Sequence, residues 1–286
     1  MFDITGFRNL GLDQFINLLC ESYNIVKPLK VLNAADFGVP QNRERLFVLG
    51  SRKDIDCKLE YPQPTHISPK SATYKYDPVN KNHSSRDEVG GMRYCPTVAD
   101  AIGDLPNPEL FKELIEQDSI PYTNNVKYIS EFAKIMRGQT VVLDDYSTIP
   151  PNWDSRIITN FKRTKHDDRI KKEFQVLKEG EAHHSRRRKL SAKGLSPTIR
   201  AGTKSDKGSY TALRPIHYEQ PRVITVREAA RLMSFPDWMY FHHTKWHGFR
   251  LVGNAVPPLL AKAVALQVRR EILKIKELEV TQNAKA

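Results

Sequence analysis

The chain has 286 residues, of which 40% are hydrophobic and 27% charged, as is typical of a globular protein with a buried core. No apolar run approaches the length of a membrane span and the N-terminus lacks a signal peptide, so we expect a cytoplasmic protein. The three cysteines are widely spaced, which excludes a disulfide framework, and the formal net charge of +12 favours a polyanionic partner such as nucleic acid. A merely basic soluble protein is the alternative.

The first fifty residues predict a helix and two strands. Residues 12–23 place apolar side chains on one helical face, and residues 26–32 predict an irregular strand. Strand alternation then places Gln41, Arg43 and Arg45 on one face, where two guanidiniums and an amide favour an acidic or carbonyl-rich partner. A solvated edge strand is the alternative.

The middle of the chain predicts loops and short helices. A capped helix is predicted within residues 97–106, and further short helices over residues 109–117 and 127–136. No secondary structure dominates, so we expect a mixed, loop-rich region.

The most basic part of the chain lies between residues 161 and 204. It contains the run Arg186, Arg187, Arg188 and Lys189, which is either a solvated charged face or a surface that contacts a nucleic-acid backbone. His183 and His184 precede the run, but adjacent histidines lack metal-ligand spacing on a helix and no further ligand is evident nearby. We therefore predict no metal site.

The strongest local signals lie in the last quarter. Thr225 and Glu228 have the capping-box spacing, and Ser234–Asp237 ends the helix that they begin. Gly253-Asn254 predicts a turn with positive φ, and Pro258 suits the first position of a second helix. Apolar residues recur along that helix at four-residue spacing: Leu260, Val264, Val268 and Ile272.

Three segments resemble conserved motifs of the DNA cytosine-5 methyltransferases. VLNAADFGVPQNRERLFVLG, which ends at Gly50, resembles the eighth motif, Q-x-R-x-R, with its A-A-D-[FY]-G-V-P lead-in. Arg222–Asp237 resembles the ninth motif and Gly253–Pro258 the tenth, G-N-[AS]-V-P-P. Leu195–Gly202 is similar to the end of the family's target-recognition region.

The resemblance implies an α/β fold. The expected architecture is an incomplete Rossmann-like, S-adenosylmethionine-dependent methyltransferase domain, reduced to its last strands and C-terminal helix, with an inserted loop-rich target-recognition domain. It assigns residues 1–50 to the last strands of the catalytic sheet, 51–220 to the target-recognition domain, 221–275 to the return into the catalytic domain and 276–286 to a frayed tail.

The resemblance also implies site residues. Arg45 would approach the carbonyl of the target cytosine, and Gln41 and Arg43 would organise the same pocket. The cofactor-binding residues would be Gly253, Asn254 and Ala255, beside S-adenosylmethionine. The DNA-binding residues would be Thr198, Arg200, Arg186, Arg187, Arg188, Lys189 and Arg227.

Three elements that the family's chemistry requires do not occur in this sequence. The family uses a Pro-Cys nucleophile, a Glu-Asn-Val carboxylate and an F-x-G-x-G donor loop. Here Leu19, Asp56 and Tyr94 precede the three cysteines, there is no Glu-Asn, and no two glycines stand two residues apart.

These absences lead to the hypothesis of a split enzyme. The chain would be the recognition subunit of a two-chain DNA cytosine-5 methyltransferase of a prokaryotic or phage restriction-modification system. It would be inactive alone, bind duplex DNA, and share S-adenosylmethionine with a partner chain that carries the missing motifs. The stripe of Leu260, Val264 and Val268 would be uncovered without that partner. An inactive remnant of a single-chain enzyme and a non-catalytic DNA-binding regulator are the alternatives.

Overall fold

A computed structural model of the chain describes residues 11–68, 88–89, 91–122, 128–140, 149–202 and 213–283. The α-helices in these residues are α1 (Leu12–Ser22), α2 (Val98–Ile102), α3 (Glu131–Met136), α4 (Asp168–Val176), α5 (Val226–Leu232), α6 (Lys245–Asn254) and α7 (Pro258–Asn283). Short 3-10 turns cover Ala34–Phe37, Pro108–Leu110 and Lys112–Ile115.

The strands are short and form small separate sheets. They are β1 (Tyr23–Ile25), β2 (Lys30–Asn33), β3 (Glu44–Phe47), β4 (Gly50–Arg52), β5 (His66–Ile67), β6 (Glu88–Val89), β7 (Met92–Tyr94), β8 (Ile120–Pro121) and β9 (Ile157–Ile158). Antiparallel pairs join β1 to β4, β2 to β3, β6 to β7 and β8 to β9, and β5 pairs with β7 in parallel.

The N-terminal elements differ in detail from the prediction. The single strand predicted over residues 26–32 is two strands, β1 and β2, because Pro28 between them has no amide hydrogen to donate to a ladder. Helix α1 forms as predicted, but Ile16 is its only buried residue and Phe15 is 51% exposed. The apolar face of α1 is therefore only partly covered by the described residues.

The predicted capping box of α5 is present, and the capped helix predicted within residues 97–106 also begins with a capping box. Thr97 and Asp100 start α2, and Thr225 and Glu228 start α5, each pair exchanging side-chain and backbone hydrogen bonds. Helix α5 is buried along its whole length, and it packs against α2 and α6.

The larger core joins segments that are far apart in the sequence. It combines α2, α3 and residues 158–161 with Leu190 and Ile199, and then with α5 and α6. The predicted boundary between residues 220 and 221 runs through this core, so the return segment and the preceding region share one hydrophobic interior.

A smaller core forms between the N-terminal strands and α7. Leu32, Phe37 and Val39 pack there with Tyr61 and with Leu260, which has no exposed surface. The prediction that the Leu260–Val268 stripe is uncovered is therefore wrong at Leu260, because this chain itself covers it.

The C-terminal end is also more regular than predicted. Helix α7 continues to Asn283, where residues 276–286 were expected to form a frayed tail. Among the α7 side chains whose exposure is described, the exposed large apolar ones are Ile272 and Leu273, which are 47% and 40% exposed.

One apolar segment is longer than the sequence analysis allowed. Lys245–Glu277 is long and apolar enough, by length and composition, to cross a membrane, so the expectation that no run approaches this length is wrong. In the fold the segment is divided, since α6 ends at Asn254 and α7 begins at Pro258. Val252 and Leu260 lie on either side of the division and are buried in different cores.

Candidate functional site

Arg43 connects three distant segments. Its guanidinium donates from Nη1 to the Ile199 carbonyl at 3.1 Å, and from Nη2 to the carbonyls of Gly253 at 2.7 Å and Ala255 at 3.0 Å. The residue is 1% exposed, and burial lowers its pKa to about 10, with the charge of Arg45 as the smaller cause. The side chain stays protonated at neutral pH. Its hydrogen bonds fix the backbone at Ile199, Gly253 and Ala255.

Gln41 is buried beside this connection. Its backbone bridges to Ser196, and Ser196 in turn donates from its amide to the Pro40 carbonyl at 3.0 Å. The Gln41 side chain has no exposed surface, yet its Oε1 and Nε2 find no hydrogen-bond partner among the described residues. Buried amides are normally paired, so the Gln41 side chain is an exception in this interior.

Arg45 differs from its two neighbours in the motif. It lies on β3 opposite Leu32 and is partly exposed. Among the described residues, its guanidinium donates to the Glu44 carbonyl alone, from Nη1 at 2.7 Å. The three side chains that were predicted to share one face therefore differ in how deeply they are buried. Gln41 and Arg43 point into the protein, and Arg45 keeps most of its donors available.

The glycine of the Gly253-Asn254 pair is required for a reason other than the predicted one. Gly253 is helical, near the end of α6, and does not adopt a positive φ. A Cβ there would lie 2.4 Å from the Ala201 amide nitrogen and 2.6 Å from the Arg200 carbonyl carbon. Close approach of these two backbones, and no turn, makes glycine necessary.

The predicted cofactor-binding residues have unequal freedom. The carbonyls of Gly253 and Ala255 accept hydrogen bonds from Arg43, and Gly253 is buried. Asn254 is exposed at the end of α6. Of the three, Asn254 alone presents an accessible side chain.

The segment that resembles the end of the recognition region lies along the same motif. Thr198 donates from Oγ1 to the Asn42 carbonyl at 2.8 Å. Arg200 is exposed, and its carbonyl accepts a hydrogen bond from Arg214. Of the two predicted DNA contacts here, Arg200 is free to bind an anion and Thr198 is engaged with the motif.

The basic run is only partly available. Arg186 and Arg188 are exposed, and Arg188 donates to the Gly180 carbonyl. Lys189 is 7% exposed, because its Nζ donates to the carbonyls of Leu177 at 3.0 Å and Phe174 at 3.4 Å. Its charge therefore serves the C-terminal end of α4, where cations are stabilising, and its prediction as a DNA contact is wrong.

Arg227 is likewise unavailable to DNA. It has no exposed surface, and its guanidinium donates to both oxygens of Thr159 and to the carbonyls of Pro236 and Met239. The prediction that it binds DNA is corrected accordingly. Its role is to fix the segment after α5.

The other arginines of the ninth-motif segment are buried ion pairs. Arg222 forms a bidentate contact with Glu228, with distances of 2.9 and 2.6 Å. Arg231 reaches Asp237 at 2.6 Å and Asp104 at 3.1 Å. The sequence analysis missed these as structural residues, because a carboxylate as remote in sequence as Asp104 leaves no local signal.

Two of the three cysteines, Cys57 and Cys95, lie in environments that disfavour the thiolate. Cys95 donates from Sγ to the Val39 carbonyl at 3.2 Å, and burial raises the pKa of its thiol well above the usual range. Burial and the charges of Glu271 and Asp56 raise the pKa of the Cys57 thiol as well. Since the thiolate is the nucleophile, neither residue suits attack on a base.

The histidine pair has a third neighbour that the sequence analysis missed. Glu173 on α4 lies 2.8 Å from His183 Nε2 and 3.8 Å from His184 Nδ1, so three possible metal ligands come together. The expectation that nothing nearby completes such a set is wrong. His183 Nδ1 accepts from the Ser185 amide, so Nε2 carries the proton that it donates to Glu173. A hydrogen bond therefore already joins His183 to Glu173 within this cluster.

Comparison with known proteins shows which family the chain belongs to. The sequence model of the C-5 cytosine-specific DNA methylase family matches residues 9–270, and the chain belongs to that family. It is 40% identical over 255 residues to the type II methyltransferase M.XorII of Xanthomonas oryzae, covering 88% of this chain and 52% of that protein. It is 27% identical to M.BsuRI of Bacillus subtilis, covering 92% of this chain and 47% of that protein.

A solved structure supports the same fold class. A crystal structure assigned as a prophage-encoded DNA modification methyltransferase (E. coli) aligns with a TM-score of 0.63 and 27% identity, over 95% of this chain and 66% of that one. The fold is thus of the α/β methyltransferase type. The chain spans about half the length of the two curated relatives named above.

Proposed function

We propose that this chain supplies the DNA-recognition part of a DNA cytosine-5 methyltransferase. The enzyme would transfer a methyl group from S-adenosylmethionine to carbon 5 of a flipped cytosine in duplex DNA. The observation that carries the proposal is the Arg43 connection, which holds the eighth-motif segment against the end of the recognition segment and against Gly253 and Ala255. Three segments with separate family resemblances meet at one guanidinium.

Arg45 is the group proposed to contact the base. Its guanidinium is partly exposed while that of Arg43, two residues earlier, is fixed, so Arg45 can donate to a cytosine carbonyl. The unpaired amide of Gln41 would organise the pocket by bonding to a group that enters with the base. Arg43 then acts as a positioning residue.

The S-adenosylmethionine site would be incomplete in this chain. In this proposal the exposed Asn254 touches the donor, whereas Gly253 and Ala255 act through packing and through Arg43. When bound, the donor supplies the methyl group. In this proposal these residues form one edge of the site, and the donor loop comes from elsewhere.

We assign the nucleophile, the carboxylate and the donor loop to a second polypeptide. Two observations support a source outside this chain: the Pro-Cys, Glu-Asn-Val and F-x-G-x-G patterns do not occur here, and burial raises the pKa of the Cys95 and Cys57 thiols. In this proposal residues 1–50 and 221–275 belong to the catalytic domain and residues 51–220 to the recognition domain. The complex would be cytoplasmic and belong to a restriction-modification system.

The test is reconstitution. The chain is purified alone and with a polypeptide that carries the three missing patterns, and transfer of labelled methyl groups to duplex DNA is measured. We expect transfer by the pair and none by either chain alone. Activity of this chain alone, or an inactive pair, would show that the split-enzyme proposal is wrong, and DNA binding without transfer would favour a regulator or remnant.

Arg45→Ala in the active pair tests the base contact. We expect the rate of transfer to fall about 100-fold, as for loss of one hydrogen-bond donor in an active site. Arg52→Ala is the matched control, since Arg52 lies on β4, the next strand along the chain, with an exposed side chain paired to Asp54. Equal rates of transfer for the two variants would show that Arg45 does not contact the base.

A further inference from the structure

Two arginines are brought together by a contact between segments that adjoin in space. Lys189 and Ile216 form a parallel bridge, so Arg187 and Arg214 occupy corresponding positions two residues earlier on each segment. The Ile216 amide donates to the Arg188 carbonyl and the Leu190 amide to the Ile216 carbonyl, both at 2.9 Å. The register of the two arginines is therefore fixed by backbone hydrogen bonds.

The Arg214 guanidinium is held in place without a carboxylate. Its Cζ lies 4.0 Å from the centroid of the Phe249 ring, and its Nη1 donates to the Arg200 carbonyl at 2.9 Å. Stacking on an aromatic ring fixes the plane of a guanidinium and leaves its edge free to donate. No acidic side chain among the described residues forms an ion pair with Arg214.

Arg187 likewise has no carboxylate partner among the described residues. Its Nη1 donates to Ser185 Oγ at 2.9 Å, but its buried Nε has no acceptor among the described residues, and no described carboxylate pairs with it. Burial lowers the pKa of both arginines, and the charge of Arg187 further lowers that of Arg214, to about 10. Two partly buried cations of like charge thus lie within electrostatic reach of each other.

The surroundings are also rich in cations. His166 lies near enough to Arg187, Lys171 and Lys245 for their charges to lower its pKa, after burial, which is the main cause. The carboxylate that acts on the same ring is Glu109, and it is already bonded to Arg163 at 3.1 Å and to Lys171 at 2.6 Å. This carboxylate is therefore not free to neutralise Arg187 and Arg214.

The other buried arginines make the contrast clear. Arg222 and Arg231 have carboxylate partners, and the guanidiniums of Arg43 and Arg227 donate to at least three oxygens each, although Arg43 Nε, like that of Arg187, is unpaired among the described residues. A buried charge without such a partner is costly, so a site that collects two of them favours an anion from outside.

We propose that Arg187 and Arg214 together form a binding site for one phosphate of the DNA backbone. The inference rests on the proposed function, since that function supplies the polyanion. The site adjoins the pocket because Arg214 bonds to Arg200, and the Arg200–Ala201 backbone packs on Gly253. A phosphate held there would set the position of the strand relative to Arg45 without reading its sequence. Arg214 was not among the predicted DNA contacts.

The salt dependence of DNA binding tests the site. Fluorescence anisotropy measures binding of a labelled short duplex to the full chain over a range of salt concentrations. For Arg214→Ala we expect several-fold weaker binding and a log Kd against log salt slope shallower by about 0.9, the value for one lost phosphate contact. Arg156→Ala is the matched control, because Arg156 has an 86% exposed side chain paired with Asp154.

The possible outcomes separate the two proposals. If the wild-type chain binds no duplex at low salt, the proposed function and this inference both fail. If wild type binds and Arg214→Ala keeps the wild-type slope, as the control should, the inference alone is wrong. Arg214→Lys, which keeps the charge and loses the planar stack, should keep the slope and bind with intermediate strength.

A second measurement needs no variant at Arg214. The His166 ring is titrated by NMR with and without duplex, and its signal is assigned with His166→Gln. An anion at Arg187 and Arg214 should offset the cations and raise the pKa of His166. An unchanged titration in the presence of bound duplex would place the phosphate elsewhere.

Discussion

Nη2 of Arg43 lies 2.7 Å from the carbonyl oxygen of Gly253, across 210 positions of sequence. This hydrogen bond joins the eighth-motif and tenth-motif segments directly, and the neighbouring bond to Ile199 adds the end of the recognition segment. The interior at this point is held by an arginine and backbone carbonyls, a partnership that neither segment shows on its own.

Loss of Arg43 should destabilise the fold strongly. Arg43→Ala leaves the buried carbonyls of Ile199 and Gly253 and the half-buried carbonyl of Ala255 without their donor. We expect the free energy of unfolding, measured in urea, to fall by about 3 kcal/mol, since each unpaired buried group costs about 1–3 kcal/mol. The surface variant Arg52→Ala should stay within about 0.5 kcal/mol of wild type. A stable Arg43→Ala protein would mean that the three segments are held by other contacts.

Gly253→Ala should also destabilise the chain, although alanine is the better helix former. In an open helix this change gains about 1 kcal/mol, whereas overpacking against fixed backbone costs about 1–3 kcal/mol. Because the added Cβ would lie 2.4 Å from the Ala201 nitrogen, we expect the cost of overpacking to exceed the gain in helix propensity. Thermal unfolding measures the net effect, with Leu251→Ala on the exposed face of the same helix as control. An increase in Tm for Gly253→Ala would contradict the close approach.

Stability should fall as the pH is lowered from neutral, partly because of His217. Its Nδ1 accepts the amides of Glu219 and Gln220, and burial lowers its pKa from 6.5 to about 4. The unfolded chain therefore binds this proton first, so the stability from neutral His217 is complete above about pH 6.5 and is lost as the pH falls towards 4.

The variant His217→Asn tests this pH dependence. Asparagine keeps an acceptor and does not titrate, so the loss of stability between pH 6.5 and 4 should become smaller in urea unfolding. Part of the loss should remain, since burial also lowers the pKa of His66 to about 4. His184→Asn, at a side chain that is 75% exposed, serves as control. A wild-type pH profile for His217→Asn would show that the group contributes nothing.

Lys189 should matter for folding and leave DNA affinity unchanged. Lys189→Met removes the donor to the carbonyls at the end of α4, and we expect Tm to fall. The salt dependence of DNA binding should match wild type, because the ammonium group does not face the solvent. A shallower dependence of log Kd on log salt concentration for Lys189→Met would show that Lys189 contacts DNA.

The sequence was most informative where interactions are local. The capping-box partners of α2 and α5 stand only three positions apart, so residue identity and spacing were enough to place both helix starts. Pro258 at the start of α7 is equally local. The family resemblance also needed only short segments, and the family match over residues 9–270 confirms it.

The sequence was least informative about which charged side chains are free. Arg43 and Arg45 stand two residues apart in one alternating pattern, yet one is buried under carbonyls from residues 199, 253 and 255 while the other stays accessible. Lys189 and Arg186 belong to one basic run and differ in the same way.

The sequence by itself determined the family, the capped helices and the missing catalytic patterns, because each depends on residues that are neighbours in the chain. The tertiary structure alone decided that Gly253 serves close packing, that Arg227 and Lys189 are internal, and that Arg187 lies beside Arg214. The physical reason is that burial and charge pairing depend on partners far away in sequence, and only the folded chain brings those partners within a few ångströms.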